Sequence, residues 1–336
     1  MEKYRVGIVG ATGMVGQRFI SLLKDHPWFE VNCVAASARS AGKTYREAVG
    51  ERWAFSWEIP EKVAGMTVVD AADIDEVSKH VDFVFCAVDM KKDEIRALEE
   101  AYAKHEIPVV SNNSACRGIE DVPMVVPEIN ADHLAVIEAQ KKRLGTKNGF
   151  IAVKPNCSIQ SYVPALTPLL DFEPEKVSVC TYQAISGAGK TFKTWPEMVD
   201  NVIPYIGGED EKSENEPLKL WGHVEDGKIV NATLPVISAQ CLRVACSDGH
   251  MAAVSVSFKK KPTIEQIKER WANYETEAQR LELPSAPKPF LQYFEDPSRP
   301  QTRLDRDFQN GFGVSIGRLR EDKLFDYRFV LSLIHI

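Results

Sequence analysis

What the chain lacks narrows the field first. No apolar run approaches the ~20 residues that a membrane-spanning helix needs. No cysteine pair is spaced as CxxC and no Cys/His pattern has metal-ligand spacing, so no metal is expected. Positive charge is not in excess. Lys and Arg number 41 against 48 Asp and Glu, the net charge is −7, and the basic residues are scattered, which excludes a nucleic-acid surface. The sizeable charge run, Glu209 to Glu216, is acidic and reads first as a solvated loop. No export signal is expected, because the given N-terminus runs directly into an apolar strand. With seven cysteines, an odd number, the expectation is free thiols in a reducing cytoplasm.

What is present begins with length. At 336 residues the chain has room for two domains, each with its own core. Tyr4 to Val9 reads as a strand, followed by Gly10-Ala11-Thr12-Gly13-Met14-Val15-Gly16 and an amphipathic helix through Leu23. This is a GxxGxxG variant of the dinucleotide fingerprint in its strand–turn–helix setting, where glycines let a pyrophosphate approach the helix N-terminus. The second strand, Val31 to Ala36, ends in Ser37-Ala38-Arg39-Ser40. NAD sites place an acid near this point. Two hydroxyls and a guanidinium suit the 2′-phosphate of NADP better, although a plain polar loop has the same composition. Strands then alternate with helical periodicity through Ser111, predicting a doubly wound parallel sheet. Ser111-Asn112-Asn113-Ser114-Ala115-Cys116-Arg117-Gly118 follows a strand, where open α/β sheets bind ligands. Arg117 is a fork for a carboxylate or phosphate. Cys116 reads as a bystander in a comparatively exposed setting.

The stretch Lys154-Pro155-Asn156-Cys157-Ser158 joins a short strand to a helix over roughly 158–170. A thiol at a helix N-terminus lies beside unpaired N–H groups and the positive end of the dipole, and both favour thiolate. The same N–H groups, with the Asn156 amide, could hold an oxyanion. The alternative is a buried structural cysteine. Beyond Leu170 the pattern turns to alternating strands. Gln183 ends one of them and either positions a substrate carbonyl or simply faces solvent. Ser186-Gly187-Ala188-Gly189 is a second glycine-rich turn, a hinge or a place where backbone approaches cofactor. Glu209 and Lys212, three apart, would share a helical face and suit a zwitterion. Arg243 sits in an apolar strand, where a guanidinium needs an anionic partner such as a substrate carboxylate. His250 lies between a turn and the next strand. Of the seven histidines it is the one to pair with Cys157.

With GATGMVG, SNNSACR, PNCS, YQAISGAG, the acidic run, CLRVACSDGH and RPQTRLDRD in order, the chain resembles the aspartate-β-semialdehyde dehydrogenase family, in particular its archaeal and fungal branch. The resemblance implies NADPH-dependent reductive dephosphorylation of 4-phospho-L-aspartate to L-aspartate 4-semialdehyde through a cysteine acyl-thioester. That step leads to lysine, methionine, threonine and isoleucine. It implies Cys157 as nucleophile, His250 as acid/base and Gln183 as the residue orienting the intermediate. Arg243 would bind the α-carboxylate and Glu209 the amino group, with Arg117, Lys212 and Asn112 or Asn113 on the phosphate. Gly10 to Gly16, Ser37, Arg39, Ser40 and the Ser186–Gly189 turn would line NADP. The fold class is then α/β, with a Rossmann-like NADP-binding domain over 1–155. A catalytic and dimerisation domain with a largely antiparallel sheet follows over 156–331, and the protein is a homodimer or homotetramer.

Relatives are expected to continue with a segment like S-H-N-T-x-R-G-A-A-G and a helix that packs on the nucleotide domain. Residues 332–336 read instead as an atypical, truncated or read-through end. From this an uncovered apolar patch, reduced stability and weaker NADP binding are expected relative to an extended version. Malonyl-CoA reductase and N-acetyl-glutamyl-phosphate reductase share the same thioester logic and are the rival enzymes. A noncatalytic NADP-binding sensor is the rival of another class, with no need for Cys157, His250 and Arg243 together. Because malonyl-CoA has no ammonium, Glu209→Ala is expected to spare a CoA-thioester activity and cripple the amino-acid one.

Overall fold

Short, apolar strands separated by helices build a parallel sheet in the first half of the chain. The structure, a computed structural model, describes residues 2–333. These fall into two units. The first takes in the chain up to Lys154 except Val126–Ala131, together with Val224–Ile229. The second holds Val126–Ala131, Pro155–His223 and the chain from Val230 onward.

In the first unit, β1 (Tyr4–Val9), β2 (Phe29–Ala36), β3 (Val69–Asp70), β4 (Phe83–Cys86), β5 (Val109–Ser111) and β6 (Ile151–Val153) lie in the order β3-β2-β1-β4-β5-β6. All their pairings are parallel. Val6, Ile8 and Val9 of β1 are fully buried, as strands covered on both faces must be. Helix α1 (Met14–Leu23) follows β1 and turns Ile20 and Leu23 into the same core. Helices α2 (Lys92–Lys104) and α3 (Ile137–Leu144) complete the βα pattern. Strand order reverses between β1 and β4, and the crevice beyond the carboxyl ends at such a reversal is where this architecture binds ligands.

The second unit carries β7 (Pro174–Gln183), β8 (Val202–Ile203), β11 (Val236–Val244), β12 (His250–Phe258), β13 (Leu291–Phe294), β14 (Val314–Glu321) and β15 (Tyr327–Leu333). They form one sheet ordered β13-β14-β15-β12-β7-β11-β8. The pairs β13/β14 and β7/β11 are parallel and the rest antiparallel, so the sheet is mixed but largely antiparallel. Strands β9 (His223–Glu225) and β10 (Lys228–Val230) pair as a separate hairpin. One face of the large sheet is covered by α4 (Ile159–Leu166) and α6 (Ile264–Ala272), and Trp271 of α6 is buried. Its indole N–H donates to the Ala165 carbonyl at 2.8 Å, and its ring stands edge-on to Phe329 with centroids 5.2 Å apart.

Two expected elements differ. The helix after Cys157 gives way to a 3₁₀ stretch at Thr167, where Pro168 removes a helical donor. Residues 263–281 read in the sequence as one Ala-rich helix, but the helix stops at Ala272, and Glu277–Arg280 is a separate turn with Thr276 before it. The expected atypical end divides as well. Ser332 and Leu333 are ordinary members of β15, Leu333 pairing opposite His250, while residues 334–336 lie outside the described residues.

Candidate active site

Three neighbouring strands of the second unit align three buried polar side chains. Gln183, the last residue of β7, pairs with Arg243 of β11 on one side and with His250 of β12 on the other. Residues directly opposite on adjacent strands share a face, so the register makes a row Arg243–Gln183–His250. All three are nearly inaccessible, with relative exposures of 6%, 1% and 0%. Gln183, open to a solvent-facing alternative from the sequence alone, is therefore interior. Such burial is tolerable only with partners. The backbone of Ala184 supplies two of them: its carbonyl accepts from Arg243 Nη1 at 2.8 Å and its N–H donates to His250 Nδ1 at 3.1 Å. An N–H can only donate, so neutral His250 carries its ring proton on Nε2. Burial lowers the pKa of Arg243, while the nearby Cys157 sulfur and Glu209 carboxyl work in the other direction.

Gly187 lies directly over this row. A Cβ there would stand 2.8 Å from Arg243 Nη1 and 3.1 and 3.2 Å from His250 Cε1 and Nε2. Close approach to two buried polar side chains is therefore sufficient reason for glycine at this point of the Ile185–Ala188 turn.

Cys157, partly buried, is flanked by two pinned residues. Asn156 Oδ1 accepts from the Ser158 N–H at 2.9 Å and from its hydroxyl at 2.6 Å, and Asn156 Nδ2 donates to both oxygens of Glu209 at 3.0 and 2.9 Å. The Asn156 backbone N–H donates to Glu216 Oε2 at 2.6 Å. This corrects the expectation that the Asn156 amide faces an oxyanion. That amide and the Ser158 N–H are engaged in holding the corner, which makes Asn156 a brace for Cys157.

The acidic run is also corrected. Rather than a solvated loop it is α5 (Glu209–Leu220), lying along the outer edge of β11. Asp210 accepts from the Cys241 N–H at 2.8 Å and Glu214 from the Ala239 N–H at 3.0 Å, satisfying alternate donors of an edge that would otherwise be open. The inward face carries Glu209, Lys212, Ser213 and Glu216, a 3–4–7 spacing readable in the sequence but overlooked there beyond its first two members. Lys212 Nζ donates to Glu209 Oε1 at 2.8 Å and Gln183 Nε2 to Glu209 Oε2 at 3.3 Å. Burial pushes the Glu209 carboxyl up. Lys212, Asn156 and Gln183 outweigh it, so the net shift is downward and the group is a carboxylate. Ser213, fully buried, meets the Ser158 hydroxyl at 3.2 Å and Cys241 Sγ at 3.4 Å, and its carbonyl accepts from Tyr162 at 2.6 Å.

The remaining expected residues belong to the first unit. Gly10 has φ +91° and sits against the Ala87 carbonyl, and Gly16 sits against the Gly10 carbonyl, so neither tolerates a Cβ. Gly13 is different. It is exposed, and a Cβ there would meet only the Gly10 carbonyl, at an ordinary 3.5 Å. Helix α1 behind it has no side-chain cap and no acid in its first turn. An open cradle at an uncapped helix start fits a pyrophosphate, with Ala11, Thr12, Met14 and Val15 completing the turn. Ser37, Arg39 and Ser40 form the turn after β2, closed by the Ser40 N–H on the Ser37 carbonyl at 2.8 Å, with Ser37 and Arg39 exposed.

After β5, Asn113 turns inward, its amide donating to Glu99 Oε1 at 3.0 Å, while Arg117 Nη2 donates to the Asn112 carbonyl at 3.1 Å. Glu99, on α2, is fully buried and also accepts from the Ser111 hydroxyl. Cys116 is not exposed as expected. It is fully buried, and burial, with Glu99 adding to it, pushes its thiol well above the usual range.

Comparison with known proteins accords with this geometry. Residues 5–137 match the model of the semialdehyde dehydrogenase NAD-binding domain, and residues 166–335 match the semialdehyde dehydrogenase dimerisation domain. Aspartate-semialdehyde dehydrogenase of Schizosaccharomyces pombe is 44% identical, the alignment covering 98% of this chain and 92% of the relative. The Archaeoglobus fulgidus enzyme of the same name is 43% identical, over 95% and 90%. The chain belongs to the aspartate-semialdehyde dehydrogenase family. Among solved structures of this family, that of the Candida albicans enzyme with NADP superposes with a TM-score of 0.88 at 37% identity, covering 99% of this chain and 93% of that one. The family is one of oxidoreductases acting on an aldehyde with phosphate, and its two-domain α/β architecture is the one described above.

Proposed function

We propose that the chain catalyses the NADPH-dependent reductive dephosphorylation of 4-phospho-L-aspartate to L-aspartate 4-semialdehyde. The observation that carries this reading is the row Arg243–Gln183–His250 with Glu209 hydrogen-bonded to its centre. A buried guanidinium and a buried carboxylate on one surface suit the α-carboxylate and α-ammonium of an amino acid. Cys157 Sγ attacks the acyl carbon, the C–O bond to phosphate breaks, and a thioester forms with release of inorganic phosphate. When bound, NADPH supplies a hydride. His250, with its proton on Nε2, donates a hydrogen bond to the oxygen that becomes anionic. Collapse of the thiohemiacetal then returns the electron pair to Cys157 sulfur and frees the aldehyde. Gln183 holds the acyl group between Arg243 and His250. Lys212, Arg117 and Asn112 take the phosphate, with Asn113 anchoring their loop.

The same reading assigns 1–155 to NADP binding and 156–331 to catalysis and assembly, with Gly10 to Gly16, Ser37, Arg39, Ser40 and Ser186–Gly189 toward the cofactor. A homodimer or homotetramer is part of the proposal, supported by the dimerisation-domain match over 166–335. So is a cytoplasmic location. Among the described residues no helix is long and apolar enough to cross a membrane. The deciding experiment is phosphate-dependent NADPH formation from L-aspartate 4-semialdehyde, run beside NADPH oxidation with malonyl-CoA. Turnover is expected with the first substrate, and Cys157→Ser should lower it by about 10³-fold or more. A Cys157→Ser protein that keeps most of its turnover would overturn the reading.

A further inference from the structure

The charged segment Arg299–Asp307 has no part in the chemistry above, yet it is built into the turn that presents His250. Its short helix α7 (Thr302–Asp305) is fixed from within. Asp305, 3% exposed, accepts from Arg299 Nε at 2.8 Å and from the Gln301 N–H at 2.6 Å, and Arg299 Nη2 closes the fork. The Arg299 carbonyl in turn abuts Gly317 of β14 so closely that no Cβ fits there.

From that base Arg306 reaches the turn Cys246–Gly249. Its Nη1 donates to Ser247 Oγ at 3.2 Å and to the Asp248 carbonyl at 3.3 Å. Thr302 and Arg306 also pack beneath Gly249, where a Cβ would stand 2.8 Å from Thr302 Cγ2 and 3.3 Å from Arg306 Cβ. On its other side the turn is tied to the loop after β7, the Ile185 N–H donating to the Cys246 carbonyl at 2.9 Å and the Ser186 N–H to the Ser247 carbonyl at 3.2 Å. His250 follows at once, its ring held by the Ala184 N–H. Gly249, at φ +90°, gives the turn no stiffness of its own.

We propose that Arg306 is a positioning residue for His250, holding the Cys246–Gly249 turn so that the imidazole and the Ile185–Gly189 turn keep their mutual geometry. This rests on the reading of His250 as a catalytic group. The guanidinium is suited to the task because one rigid donor group serves a hydroxyl and a carbonyl together.

The test is steady-state kinetics of Arg306→Ala and Arg306→Lys in the phosphate-dependent assay. In Arg306→Ala kcat is expected to fall about 10–100-fold, with KM for semialdehyde, phosphate and NADP within about threefold. Added guanidinium ion should restore several-fold activity to that variant and none to the wild type, and Arg306→Lys should lie between the two. A kcat within twofold of wild type would overturn the proposal. So would a loss that neither guanidinium nor lysine relieves and that follows the thermal midpoint. Should Arg306→Ala not fold, Ser247→Ala removes one acceptor without touching α7. A kcat loss of about 2–10-fold at constant KM supports the assignment, and no loss refutes it. A wild-type chain without turnover would instead refute the catalytic reading of His250 itself, a result distinct from an active wild type with an unaffected variant.

Discussion

Glu209→Gln is the sharpest perturbation of the site, because one carboxylate holds three donors. It accepts from Lys212 at 2.8 Å, from Asn156 at 2.9 and 3.0 Å and from Gln183 at 3.3 Å. Glutamine keeps the volume but removes the charge and places an NH₂ where an acceptor stood. One of the three donors then faces another donor. Lys212, with 30% of its side chain exposed, can rehydrate. Asn156 and Gln183, at 6% and 1% exposure, cannot, and leaving one of them unsatisfied costs about 1–3 kcal/mol. Asn156 adjoins Cys157, and Gln183 separates Arg243 from His250, so the same loss falls on the reacting geometry at about tenfold per 1.4 kcal/mol. Adding the lost counter-charge for the substrate ammonium, kcat/KM for L-aspartate 4-semialdehyde should fall about 10²–10³-fold.

The structure also changes the expectation for malonyl-CoA. Truncating Glu209 disturbs Asn156 and Gln183 whatever the substrate, so any CoA-thioester activity should fall too, by about tenfold, rather than be spared. Stability provides a second readout. Burial raises the Glu209 pKa, its three donors lower it by more, and the folded value lies below the ordinary 4.5. The carboxylate therefore contributes stability fully above that ordinary value, and the contribution is lost as pH falls through the folded value. The urea midpoint of wild type should exceed that of Glu209→Gln by a constant margin near neutrality, with the margin closing below pH 4.5. Equal midpoints at pH 7 together with a kcat/KM within about threefold would show that Glu209 is not the hub described.

Gly187→Ala should cost about 1–3 kcal/mol in a urea titration and lower kcat/KM about 10²-fold, since the new methyl meets Arg243 at 2.8 Å and the His250 ring at 3.1 Å. A wild-type rate would mean that the turn yields freely. Glu99→Gln weakens the anchor of Ser111 and Asn113 beneath the Asn112–Arg117 loop, and KM for phosphate should rise about tenfold while kcat changes little. A phosphate titration that superposes on wild type would remove that loop from the anion site.

How much of this was legible in the sequence depends on where each signal resides. The dinucleotide turn was readable because glycine at Gly10 and Gly16 is demanded by local backbone, and local demands leave a local pattern. Arg243 and His250 stood out singly, one as a charge in an apolar strand and the other as a histidine at a strand start. Their alignment with Gln183 did not, because it depends on a parallel pairing of β7 with β11 and an antiparallel pairing with β12, both distant in sequence. Cys116 was misjudged because its loop is polar in composition, whereas the fold closes that loop over Glu99. Asn156 was misassigned for a related reason: its amide suits an oxyanion equally well, and only the nearby Glu209 decides the direction it faces.

The acidic helix shows why composition misleads where partners are backbone. Its charge density suggested a solvated segment, yet its carboxylates answer the N–H groups of Ala239 and Cys241 on β11 and of Asn156 before Cys157. Strand donors carry no side-chain signature, so nothing in residue types announces them. The arrangement has a consequence for the site. Asp210 and Glu214 set the position of α5 through edge donors of β11 and Glu216 through the Asn156 N–H, and α5 sets Glu209 against Gln183 and Asn156. Sheet closure and substrate recognition are thereby carried by one rigid element. A change that frees the β11 edge must also loosen the Glu209 carboxylate, which couples stability to specificity more tightly than either network would alone.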